Sequence, residues 1–359
     1  MNYAAWLASV PGLGSNKILL LYRNFSCAQE IYECSPELLR KAEGLQEKDV
    51  ERIISFKKHM SATAVEEKLC DLHVLFTSIE DADYPERLRS LVDLPYGLFY
   101  KGALPDPKQK AVAIVGSRGR SAYGEGFAMR LGERLGELGI PVISGLALGI
   151  DADAHKGALK SGGKTYGVLA CGVENCYPRS NRFLYEEMLL SCGVISEYPP
   201  KTEPMSFLFP MRNRIIAGLS DVVVVAEAKE KSGSLITADM AMEQGKDVYA
   251  LPGRIQDTLS SGCNRLIKQG AGIVVGVEDF LEDCQIIFAQ KCIQMDFRKN
   301  LLEKEESLVY SLLDFCPVSL GSLMDKTTLS LTEILEITKR LKDMGLAEEK
   351  LPNYYVRTF

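Results

Sequence analysis

From Ala111 to Val275 the chain alternates short apolar runs with longer amphipathic ones, and this rhythm restricts the fold more than any other feature of its 359 residues. The runs Ala111–Val115, Pro141–Ser144, Tyr166–Ala170, Gly193–Ser196, Asp221–Ala226, Asp247–Leu251 and Gly272–Val275 have strand length. Helix-length segments separate them, among them Ala122–Leu138, Arg182–Ser191, Leu235–Gln244 and Asn264–Gln269. Strands joined through helices need right-handed crossovers, so the expected core is an α/β, Rossmann-like, doubly wound parallel sheet with helices on both faces. In such a sheet ligands bind at the loops that leave the carboxyl ends of the strands.

The flanks read differently. Residues 1–72 form an expected helical domain of the SAM or helix–hairpin–helix kind. Its clearest turn is Val10-Pro11-Gly12-Leu13-Gly14, with Ser15 or Asn16 as the N-cap of the next helix; Ala42-Glu43-Gly44-Leu45 is a weaker second instance. Such turns can offer backbone N–H groups to a phosphate, although a packing bundle accounts for them equally well. Residues 76–110, with Tyr84-Pro85 and Leu94-Pro95, read as a lead-in packed onto the Rossmann-like domain, which is expected over 73–290. A linker near 285–300 precedes a winged-helix-like domain over 301–359. There the helices Glu303–Asp314, Leu320–Lys326 and Thr332–Met344 are followed by a strand-like tail at Tyr354–Val356. From 301 onward seven Lys/Arg stand against ten Asp/Glu. A module that reads duplex DNA should be positive, so a protein-contact role is expected for this one.

The whole chain carries a net charge of −6, which rules out a uniformly basic nucleic-acid coat and confines any such site to a local cluster. The strand-end loops supply one. Gly116-Ser117-Arg118 lacks the G-x-G-x-x-G spacing of a dinucleotide site, and no acidic residue ends the second strand to hold a ribose. What remains is a phosphate nest, in which glycine lets the backbone approach an anion and arginine grips it. Gly145 opens a second glycine-flanked turn, and Arg179 and Arg182 follow the third strand. Phe207-Leu208-Phe209-Pro210-Met211-Arg212-Asn213-Arg214 is a basic turn in which either phenylalanine could stack on a base. Arginines at i and i+2 diverge on a helix, so one can face a ligand while the other makes a structural ion pair. Lys231-Ser232-Gly233-Ser234 before Thr237 is the strongest anion signal, because a Ser/Gly turn at a helix start presents free N–H groups.

Several chemistries find no support. No CxxC pair occurs and there are three histidines, so no metal or cofactor is expected. His155 has no evident nucleophile beside it, and capping or packing is its expected role. No basic-then-apolar leader and no apolar run of about 18 residues is present, which suggests a cytoplasmic protein with no membrane partner.

Taken in order, the motifs resemble the DNA-processing protein A family, also called Smf. The resemblance is carried by Val115-Gly116-Ser117-Arg118 with Tyr123-Gly124, and by Ser144-Gly145-Leu146-Ala147 with Gly149-Ile150-Asp151 and Ala154-His155. Tyr177-Pro178 with Asn181-Arg182, and Arg212-Asn213-Arg214-Ile215-Ile216 with Gly218-Leu219-Ser220, continue it. Glu227-Ala228, Ser232-Gly233-Ser234-Leu235, Thr237-Ala238, Pro252-Gly253 and Gly270-Ala271 complete the series. The resemblance implies a non-enzymatic protein that protects incoming single-stranded DNA in natural transformation and loads the RecA recombinase onto it. It also implies a homodimer formed through the Rossmann-like domain. The family's pocket maps onto Gly116, Ser117 and Arg118, with Lys201 and Phe207 as the nearest basic and aromatic candidates before the Arg-Asn-Arg segment. The full expected contact set is Gly116, Ser117, Arg118, Gly145, Arg179, Lys201, Phe207, Arg212, Asn213, Ser232, Gly233, Ser234 and Thr237. The competing reading is a nucleotide-cleaving phosphoribohydrolase on a similar fold. Its Pro-Gly-Gly-x-Gly-Thr-x-x-Glu loop has no match at Lys231–Thr237, and Glu243 lies too far along the helix to stand in.

Overall fold

All seven apolar runs become neighbouring parallel strands. The computed structural model describes residues 1–286, 302–314, 317–344 and 346–357. The strands are β1 (Leu75–Ser78), β2 (Gly97–Gly102), β3 (Val112–Val115), β4 (Val142–Ser144), β5 (Thr165–Leu169), β6 (Gly193–Ser196), β7 (Val222–Val225), β8 (Asp247–Ala250) and β9 (Gly272–Ile273). They form one sheet in the order β1-β2-β6-β5-β4-β3-β7-β8-β9. From β6 to β9 every pairing is parallel. Strands covered by helices on both faces should be apolar throughout, and every residue of β3, β5, β6 and β7 is buried.

The order locates the ligand end. The chain lays β4, β5 and β6 on one side of β3, then returns to place β7, β8 and β9 on the other. The β3 and β7 loops therefore part in opposite directions and open a crevice at their carboxyl ends, the switch point of a doubly wound sheet.

Two elements differ from the expectation. The lead-in over 76–110 contributes two strands, since β1 pairs antiparallel with β2 and β2 antiparallel with β6. The basic stretch 207–214 is no turn but the start of a helix, Leu208–Leu219. Pro210 sits in its first turn, where the missing N–H would have had no helical partner anyway.

Residues 1–72 fold into six short helices around Trp6, Leu7, Ile18 and Ile53. Trp6 donates its indole N–H to Met60 O at 2.8 Å, so its one polar atom is satisfied in the core. This segment is not a separate body: Met1–Val277 is one compact unit, and its helices share a core with Leu146, Leu169 and Val194 of the sheet region. The Gly12–Gly14 turn is also committed inward. Gly14, not Ser15 or Asn16, is the N-cap of helix Ser15–Leu21. Ser15 Oγ donates to Glu197 Oε1 (2.6 Å) and accepts from Tyr96 N (2.9 Å).

The second unit, Glu278–Phe359, contains helices Lys304–Leu312, Leu320–Lys326 and Leu331–Asp343. Its strands β10 (Val318–Ser319), β11 (Ala347–Leu351) and β12 (Tyr354–Arg357) form a small antiparallel sheet with β12 in the middle. This is the winged-helix order. Ser330 and Glu333 close a capping box on its longest described helix, and Val309, Leu323, Ile334 and Leu341 fill its core. Most of the expected linker, from 287 on, lies outside the described residues, as does the domain boundary near 290–301.

Candidate nucleic-acid interface

At the switch point the chain leaves β3 through Gly116-Ser117-Arg118. Two glycines make this turn possible. A Cβ on Gly116 would lie 2.6 Å from Ile150 Cγ1, and one on Gly149, at φ +78°, would lie 2.3 Å from Ser117 O. The second loop thus packs directly behind the first, and Ile150 N donates to Ser117 O at 3.2 Å. Ser121 caps helix Ala122–Glu137 and donates through its N–H (2.9 Å) and its hydroxyl to Glu227, beyond β7. Glu227 is buried and ties the two sides of the crevice together. Arg120 is committed to Asp153 and to Glu125 (3.1 Å). Arg118 is not: it is exposed, and among the described residues no carboxylate pairs with it. Its guanidinium lies 5.1 Å from the centroid of the Phe209 ring.

The facing wall follows β7. Lys229 and Lys231 are exposed and make no ion pair among the described residues. Ser232 then caps helix Gly233–Glu243, accepting from Ser234 N at 3.4 Å, with the two hydroxyls 2.8 Å apart. Ser232, Gly233 and Ser234, at the positive end of this helix's dipole, line the crevice. Thr237, one turn on, is buried at its edge.

Helix Leu208–Leu219 supplies the floor. Arg212 is buried and donates to Gly145 O (2.8 Å), to Val168 O and to Asn213 Oδ1 (3.1 Å). Burial lowers its pKa to about 10, partly opposed by Asp151, so it stays charged at neutral pH. Asp151 accepts from Gly145 N at 3.1 Å; burial raises its pKa and the nearby Arg212 cation lowers it. Asn213 Nδ2 donates to Gly233 O (3.2 Å), holding the start of the facing helix in place. Arg214, two residues on, turns away and binds both oxygens of Glu197 at 2.7 Å. The divergence expected of arginines at i and i+2 is what occurs, with Arg214 as the structural ion pair.

The result is a cavity of about 260 Å³, lined among others by Arg118, Arg212, Lys229 and Lys231 against one carboxylate, Asp151. An acidic chain thus concentrates positive charge at the ligand end of its sheet. Nine of the expected contacts meet there: Gly116, Ser117, Arg118, Arg212, Asn213, Ser232, Gly233, Ser234 and Thr237. Four do not. Gly145 lies beneath, where an added Cβ would come within 2.6 Å of the Arg212 guanidinium. Arg179 is exposed in the loop after β5. Lys201 and Phe207 line a separate cavity of about 960 Å³ against the helical segment. Phe209 is the aromatic residue in the charged pocket. Lys229 was missed altogether; its only signal is a second lysine flanking the Ser-Gly-Ser turn.

His155 is fully buried with Nδ1 2.6 Å from Thr165 Oγ1, and burial, helped by Arg212, pushes its pKa down to about 3. It packs and does not face the pocket. Among the described residues no three His, Cys, Asp or Glu side chains converge as metal ligands, and no helix is long and apolar enough to cross a membrane.

Known proteins are similar to this chain in sequence and fold. The DNA processing protein DprA of Streptococcus pneumoniae is 47% identical over 206 residues, covering 57% of this chain and 73% of that one. Protein Smf of Synechocystis is 35% identical over 284 residues, 77% of this chain and 71% of its own. The solved S. pneumoniae DNA processing protein A superposes with a TM-score of 0.69 at 37% identity, over 79% of this chain and 97% of that chain. Its Helicobacter pylori counterpart, solved for its single-stranded DNA binding mode, superposes at 0.53 with 29% identity, over 59% of this chain and 97% of that one. A family model, DNA recombination-mediator protein A, matches residues 75–285. This chain belongs to the DNA recombination-mediator protein A family.

Proposed function

We propose that this protein binds single-stranded DNA by its phosphates in the switch-point pocket and hands the strand to the RecA recombinase during uptake of DNA. The observation that carries the first part is the convergence of two donor-rich turns, Gly116–Arg118 and Ser232–Ser234, with Arg118, Lys229 and Lys231 uncommitted beside them. Backbone N–H groups and cations suit a phosphate, and Phe209 offers a face to a base, which duplex DNA keeps stacked inside. Support for the hand-over comes from the recombination-mediator family itself. A homodimer through the Rossmann-like domain belongs to the same reading. It is supported by β9, which pairs with no further strand among the described residues, and by the exposed apolar Ile255, Ile273 and Val275.

The reading involves no turnover. Glu243, at the far end of helix Gly233–Glu243, is about 15 Å from its start at the ordinary helical rise. That is too far to serve as the acid of a phosphoribohydrolase loop. The test is fluorescence anisotropy of labelled oligo-dT against a duplex of equal length, at two salt concentrations. Tight, salt-sensitive binding of the single strand alone is expected. Equal binding of both forms, or of neither, would overturn the proposal.

A further inference from the structure

A pocket of about 260 Å³ is small beside a strand of several nucleotides, so a longer strand continues from it across the surface. Two tyrosines outside the pocket lining are exposed, and one of them touches a pocket residue. Tyr123, on the helix after the first turn, donates its hydroxyl to Pro252 O at 3.1 Å. Tyr177, in the loop after β5, is 41% exposed and its hydroxyl has no hydrogen-bond partner among the described residues. Its ring centroid is 5.8 Å from that of Phe209, at an interplanar angle of 50°. Two residues on, Arg179 is exposed and makes no ion pair among the described residues, whereas neighbouring Arg182 is held by Glu186 at 2.8 Å. An aromatic face continuous with the pocket aromatic, followed by a free arginine, is the composition that tracks a single strand: bases stack and phosphates pair.

We infer that the strand leaves the pocket over Tyr177, which stacks on the nucleobase adjoining the one at Phe209, while Arg179 takes the intervening phosphate. This rests on the single-strand reading of the pocket. It gives the strand a direction, toward the β5 side of the sheet, and gives Arg179 a role outside the pocket.

The test uses the full chain and oligo-dT carrying 2-aminopurine at successive positions, whose fluorescence is quenched by stacking. Tyr177→Ala should relieve the quench at one position and weaken a hexanucleotide about tenfold, within the range for one lost stacked base. A mononucleotide, dTMP, which has no second base to place on Tyr177, should bind as before. Tyr177→Phe should preserve both signals, and Tyr177→Leu, which keeps bulk against Phe209 without an aromatic face, should lose them. Arg179→Ala should lower the slope of log affinity against log salt by about 0.7. Wild type that binds oligo-dT, with Tyr177→Ala and Tyr177→Leu matching it at every length and position, would overturn the exit path alone. Wild type that binds no oligonucleotide would overturn the pocket reading and the path with it.

Discussion

Two glycine-bearing turns leave neighbouring strands of the sheet, and they do opposite jobs. The turn after β3, Gly116-Ser117-Arg118, faces the pocket with its arginine uncommitted. In the turn after β4 the glycines Gly145 and Gly149 are buried, the first engaged by Arg212 and Asp151 and the second pressed against the back of the first turn. Glycine spacing looks alike in both. What separates a binding turn from a scaffolding turn is whether its donors and cations already have partners. The same contrast divides Arg118 from Arg212.

The strongest way to break that comparison is to attack the scaffold. Arg212→Met would leave Gly145 O and Val168 O buried without their donor and Asp151 without its cation; about 3–5 kcal/mol of stability should be lost, read as a fall in Tm. Gly149→Ala forces a left-handed backbone and a 2.3 Å approach to Ser117 O, and should cost about 2–3 kcal/mol. Unchanged melting in either variant would erase the distinction between the two turns.

Ser234→Asp sharpens it from the other side. A carboxylate in the first turn of helix Gly233–Glu243 favours the helix dipole, so Tm should hold, while single-strand affinity should fall about tenfold. Acid separates the two functions again. His155 is neutral in the fold with a pKa near 3, against about 6.5 unfolded. Its contribution is complete above pH 6.5 and is lost as pH falls from there toward 3, because only the unfolded chain takes the proton. His155→Asn should flatten this part of the Tm profile, whereas oligo-dT affinity, resting on arginine, lysine and backbone N–H groups, should change little between pH 6 and 8. The smallest effect is expected for Lys231→Ala, which should reduce the salt slope by about 0.7 with Tm unchanged.

Much of this was legible in the residues. The seven parallel strands were found close to their limits because strands buried on both faces are continuous apolar runs. β1 and β2 were not, being short, mixed in polarity and set among prolines. Helix Leu208–Leu219 was hidden by Pro210 and by a cluster of arginine and asparagine that resembles a turn. The pocket-facing turns were readable from Gly, Ser and Arg at strand ends. The roles of Gly145, Lys201 and Phe207 were not, because they depend on which partner a group meets across the fold. Gly145 looks like a nest glycine until Arg212 is found lying over it.

The most direct test of the central claim pairs a thermal melt with an oligo-dT titration of Arg118→Ala. The account predicts an unchanged Tm and affinity weaker by about 1–3 kcal/mol, the value of one charge-assisted contact. A folded variant that binds oligo-dT as tightly as wild type would contradict it.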